Sequence, residues 1–143
     1  MPVSVSELRT ELTTDPTGLG YAAQIAVGND AQLAEMVNQV RTTITVFRND
    51  VQSWELLAST VKADWDALAA GDKDLYQALI AAGRLDATRA SLRNLITALF
   101  PAGSPTRTNL QAIAQRTGSR AEQLWGTGEA VSVGQVSAAL RGG

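Results

Sequence analysis

Three short segments place a serine three residues ahead of a Glu or Gln, just where an apolar run begins. They are Ser4-Val-Ser-Glu7, Ser119-Arg-Ala-Glu122 and Ser132-Val-Gly-Gln135. This spacing is a capping box. The serine oxygen accepts from a backbone amide of the first turn, and the acid or amide reaches back to the serine N–H. Each box marks a helix start, and apolar residues at three- and four-residue steps follow. Val5, Leu8 and Leu12 follow the first, and Val133, Val136 and Leu140 the last.

Gly and Pro divide the rest into short pieces. Asp15-Pro16 ends the first helix, because the residue before a proline is pushed out of the α region, and Thr17-Gly-Leu-Gly20 reads as a turn. Tyr21 to Val27 is apolar and fits either a helix or a strand. Gly28-Asn-Asp30 caps a second helix with Leu33, Met36, Val37 and Val40 on one face. Asp50 to Ala70 predicts the longest helix, with Val51, Trp54, Leu57, Ala58, Val61, Trp65 and Leu68 as its core stripe. A fourth helix from Gly71-Asp72 closes at Gly83, and a fifth runs from Asp86 to before Pro101. Ser104-Pro105 opens a sixth that ends at Gly118, with proline at the first helical position. Thr42 to Arg48 is the only β-branched run and reads as one extended arm or strand. Its backbone groups need partners, so intersubunit pairing is one expectation. The expected fold is therefore all-α. It is a single domain, 1–143, a compact bundle of about seven short helices with at most one short strand. Flexible arms are expected at 1–4, 42–48 and 141–143.

The chemistry available is narrow. The 143 residues contain no His and no Cys. The commonest general base, the commonest metal ligand and the thiol nucleophile are all missing. No catalytic group, cofactor, metal or small-molecule substrate is expected. Net charge is -2, and only two of twelve basic residues are Lys. With the arginines scattered, this argues against nucleic acid, whose phosphates need clustered cations. No window of about 18 apolar residues suggests a membrane span. The N-terminus does not read as a signal peptide, so a soluble protein made in the cytoplasm is expected.

Several constellations have a functional reading beside a structural one. Asp64 and Asp66, and Asp72 and Asp74, are better read as helix-face and cap residues than as acid pairs, since residues two apart do not face each other. Thr17 to Gly20 lacks the spacing and the Lys of a phosphate loop. Trp54 and Trp65 read as core, whereas Trp125 reads equally as core or partner contact. With the extended run, this makes Thr42, Ile44, Val46, Phe47 and Trp125 the candidate partner contacts. Leu110 to Leu124 has helix-turn-helix spacing, with Ala114, Gly118 and Leu124 in register. On that reading Arg116 and Arg120 touch phosphate. The acid in the second helix and the acidic chain speak against it.

Two blocks near the ends carry a resemblance. The opening runs Leu8-x-x-Glu11-Leu12-x-x-Asp15-Pro16-x-Gly18-x-Gly20-Tyr21-Ala22. The late pattern is Thr106-Arg107-x-x-Leu110, Ser119-Arg120-Ala121-Glu122-x-Leu124 and Val131-x-x-x-x-Val136. Both resemble a group of small tailed-bacteriophage proteins of the morphogenesis region. The middle helices fit more loosely, and Ala23 to Val27 departs from the pattern. The resemblance implies a non-enzymatic virion component made in the host cytoplasm. The expected role is a head-to-tail neck or connector protein that forms an oligomeric ring and meets portal or tail proteins. A distal tail or tail-fibre component is the alternative, and a small helix-turn-helix DNA-binding module is a third reading.

Overall fold

The computed structural model describes residues 2–142. Met1 and Gly143, the outermost residues of the two expected terminal arms, lie outside the described residues. The chain divides into two compact units, Met1–Val46 with Thr117–Gly143, and Phe47–Arg116. The second is a continuous insertion between the halves of the first.

Unit 1 contains α1 (Val5–Thr14), α2 (Tyr21–Ala26), α3 (Asp30–Asn38), α9 (Arg120–Trp125) and α10 (Val133–Arg141), with most of strands β1 (Val40–Phe47) and β4 (Gln115–Ser119). Unit 2 contains α4 (Ser53–Ser59), α5 (Lys62–Asp66), α6 (Ala70–Ala81), α7 (Ala90–Leu99) and α8 (Pro105–Ile113), with β2 (Val51–Gln52) and β3 (Arg84–Leu85). β1 pairs with β4, and β2 pairs antiparallel with β3 in the register Val51 to Leu85.

The expected all-α bundle of about seven helices with at most one strand is therefore corrected. Among the described residues there are ten helices and two small two-stranded antiparallel sheets. Helix takes 59% and strand 12%, which makes the fold mixed α/β. Two local causes explain the difference. The helix expected over Asp50 to Ala70 is broken at Thr60 and Val61, both extended. Two adjacent β-branched residues weaken a helix there, and their polar groups find other partners. The Thr60 hydroxyl donates to Leu56 O at 2.7 Å, and Val61 N–H donates to Thr106 Oγ1 at 2.9 Å. The second cause is Gly118, which reads as a helix stop but lies in β4. A Cβ there would meet Val46 Cγ2 at 2.7 Å. Glycine lets the β4 backbone close on the β1 side chain, so a strand takes the place of the helix end expected at Gly118 and of the turn in the disfavoured helix-turn-helix reading.

The capping signals largely hold. Ser119 and Ser132 form full boxes with Glu122 and Gln135, and Asn29 and Ser104 cap α3 and α8. Ser4 accepts from Glu7 N–H. The Glu7 carboxylate turns away to accept from Trp125 Nε1 at 2.7 Å. Half of the first box therefore serves tertiary structure.

Leu8, Leu12, Tyr21, Leu33, Val37 and Trp125 are the large members of the unit 1 core. A charge is buried beside them. Glu11 is 3% exposed. The Arg120 guanidinium holds it through two N–H donors, each at 2.9 Å, and the Tyr21 hydroxyl donates to it at 2.9 Å. Burial, followed by the hydrogen bond to Glu11, pushes the Tyr21 phenol above its ordinary value. Asp15, in the left-handed region at φ 43, accepts from Leu19 and Gly20 amides at 2.7 and 2.8 Å. Burial of its carboxyl acts upward, but those amides outweigh it and hold the pKa below the ordinary value. The carboxylate thus occupies the amides that a phosphate would need in the Thr17–Gly20 loop.

Removing one partner of a buried ion pair leaves an uncompensated charge, at about 3–5 kcal/mol. Arg120→Ala should lose that much in urea unfolding. Arg89→Ala, whose side chain is 75% exposed, should stay within about 0.5 kcal/mol of wild type. A loss below about 1 kcal/mol for Arg120→Ala would remove the ion pair from the account of unit 1 stability.

Candidate functional site

Arg48 organises unit 2. Its guanidinium donates to both Glu55 oxygens, at 2.8 and 2.9 Å, to Asp50 Oδ1 at 3.0 Å and to Ile113 O at 3.0 Å. Its amide donates to Ala114 O, and its carbonyl accepts from Ala87 N–H, both at 2.8 Å. One residue therefore joins the start of α4, the end of α8 and the segment after β3. A planar donor fork of this kind is what a two-point carboxylate contact requires. Both side chains are mostly withdrawn from solvent, Arg48 at 19% and Glu55 at 14%.

The contact fixes the roll of α4. At 100° per residue, Ser53, Leu56, Ser59 and Thr60 share one side. Ser53 donates to Ile80 O, Thr60 and Tyr76 hydroxyls meet at 2.7 Å, and Asn109 donates to Ser59 O. Leu56 is 2% exposed in the core with Tyr76 and Phe100. Glu55 is held by Arg48 on a second side. The side left over carries Trp54, Leu57 and Ala58, and it faces outward. Trp54 is 69% exposed and Leu57 64%. The helix packs Leu56 with its small and hydroxylic residues inward and shows water Trp54, Leu57 and Ala58 of the stripe that reads as core. Trp65, the other tryptophan of that stripe, is half-buried against Tyr76, its ring 6.2 Å from the Tyr76 ring.

Unit 2 also carries an open cleft of about 500 Å³, within the usual size range of ligand pockets. Its apolar lining includes Val51, Leu56, Leu85, Ile96, Leu110 and Ile113. Arg93 and Arg107 are its only charged lining residues among those described. The Arg93 guanidinium stacks over the Phe47 ring at 3.8 Å and donates to Ala87 O at 2.7 Å. In unit 1, a wide depression lies between α3 and residues 131–133. The Asn38 amide at its edge is occupied by two hydrogen bonds to the Val131 backbone.

The sequence-predicted contacts fall as follows. Thr42 is exposed on β1, Ile44 and Val46 are buried, and Phe47 lines the cleft. The 42–48 segment pairs within its own chain, through β4. Trp125 is 2% exposed in the unit 1 core. Arg120 is committed to Glu11, and Arg116 is exposed on β4. Asp64 accepts from Thr106 N–H at 2.9 Å and Asp66 pairs with Lys62. No group of three or more acids among the described residues could hold a metal ion. Sequence reasoning missed the outward roll of α4 and the part played by Arg48. The signals were present in Glu55 and in the Ser53, Ser59 and Thr60 face opposite the apolar stripe.

The hydrogen bond from Arg48, aided by the Gln52 amide, holds the Glu55 carboxyl below its ordinary value against burial. A depressed carboxyl contributes stability that is present above its unfolded pKa and lost as pH falls through the folded value. Glu55→Gln should therefore lower stability at pH 7, and its stability should fall less than wild type below about pH 4.5. Urea midpoints at several pH values measure this, and parallel acid limbs would contradict it. Comparison of the chain with protein-family models, with curated proteins and with solved structures gives no match.

Proposed function

We propose that this chain is a non-enzymatic structural subunit of a tailed-phage virion, most specifically a neck or connector protein repeated around the head-to-tail axis. The observation that carries the assembly reading is the outward apolar face of α4. An exposed Trp and Leu three residues apart, at 69% and 64%, form the kind of apolar patch that marks an interaction site. Aromatic anchors of this type dominate interface energies.

The phage assignment comes from the two terminal blocks and their resemblance. In the structure most residues of those blocks pack together in unit 1, while Thr106, Arg107 and Leu110 of the late pattern belong to unit 2. Leu8, Glu11, Leu12 and Tyr21 from the first meet Arg120, Ala121 and Val136 from the second in the unit 1 core and its ion pair. The shared pattern therefore describes a scaffold, which suits a protein whose work is to be held in place.

Mass spectrometry of purified virions, with copy number scaled to the portal protein, tests this reading. About twelve copies per virion is the expected result for a neck ring, on the closed cyclic symmetry common to oligomers. A count near three or six favours the tail, and absence from virions overturns the proposal.

A further inference from the structure

We propose that copies of this chain associate head to tail through unit 2, with Trp54 and Leu57 of one copy seated in the apolar cleft of the next. The inference rests on the assembly reading above and names its partner, a second copy.

Three observations support it. The first is shape. Unit 2 carries both an apolar projection and an apolar recess, and the recess of about 500 Å³ is of a size that takes a large side chain. An aromatic side chain buries about 150–250 Å². The second is direction. Leu56 lines the cleft from α4, whereas Trp54, two residues earlier, leaves the helix on nearly the opposite side. The projection and the recess therefore face different ways. Two copies related by a twofold axis cannot fill both at once, but a heterologous contact that repeats can, and it closes into a ring when the rotation allows.

The third observation is charge. Residues 47–74, which include α4, hold six carboxylates, two of them paired with Arg48, against Arg48 and two lysines. Residues 84–116, which supply most of the cleft, hold five arginines and one carboxylate. The charges of unit 2 are thus separated by segment, acidic around the projecting helix and basic around the recess. Segments of opposite net charge within one unit favour contact between unlike segments of two copies and disfavour contact between like ones.

The test uses complementary variants of the full chain in sedimentation velocity and native mass spectrometry. Trp54→Ala removes the anchor, and Gln111→Trp fills the cleft from an exposed lining position. Circular dichroism confirms that each variant is folded. Wild type should self-associate beyond a dimer with rising concentration, more weakly at high salt. Each variant alone should associate about thirtyfold more weakly, the scale of an interface hot spot. An equimolar mixture should form a one-to-one dimer and stop, since one copy offers only a cleft and the other only a helix. A mixture that stays monomeric, or a Gln111→Trp protein that associates as wild type does, overturns the contact. Wild type that stays monomeric also overturns it, yet leaves the virion role standing if the copy number is met. Head-to-tail association in a chain absent from virions upholds the contact and removes the virion role.

Discussion

The carboxylate of Glu55, gripped by both ends of the Arg48 guanidinium, is the largest single contact holding α4 in its observed roll. Rolling the helix to bury Trp54 and Leu57 would gain roughly 1.5–3 kcal/mol for each side chain hidden and lose about as much for one by exposing Leu56. It would also part the ion pair in a mostly enclosed place, at about 3–5 kcal/mol. Those terms are of similar size, so the smaller contacts tip the balance. Ser53 to Ile80, Thr60 to Tyr76 and Asn109 to Ser59 hold only in the observed roll. At about 1 kcal/mol net for each hydrogen bond, they settle α4 with its apolar stripe outward.

Unit 1 uses the same device for another purpose. Glu11 and Arg120 are separated by 109 positions, and their contact joins the two ends of the chain. Tyr21 supplies a third hydrogen bond to the same carboxylate. Replacing an ion pair of this kind by apolar groups often costs little, whereas losing one partner costs a great deal. The pair therefore acts as a matching requirement between α1 and α9. It also explains why a short pattern near each end is readable at all. Most of the patterned residues contact one another in unit 1, while Thr106, Arg107 and Leu110 of the late pattern hold unit 2.

Local signals were legible and long-range ones were not. The caps at Asn29, Ser104, Ser119 and Ser132 appear where serine and asparagine spacing puts them. These depend on a few adjacent residues. The break at Thr60 and Val61 depends on Thr106, some 45 positions away, and the strand at Gly118 depends on Val46. Periodicity located the apolar stripe of α4 but not the side it faces, because Trp54 and Leu57 look alike whether they meet a core or a neighbour. Trp125 shows the converse. It read as core or contact alike, and its indole N–H found Glu7 inside the unit. Among the expected sites, Phe47 reaches the cleft, while Ile44 and Val46 are buried against their own chain. The cleft itself had no sequence signature, since its lining is drawn from residues spread over 47–115.

The outward roll of α4 is the claim on which both the assembly reading and the head-to-tail contact stand. Hydroxyl-radical footprinting of the dilute wild-type protein, read residue by residue by mass spectrometry, tests it most directly. The expected result is rapid oxidation of Trp54 and Leu57 and strong protection of Trp125. Trp54 as protected as Trp125 in the monomer would contradict it, because α4 would then be turned into the core.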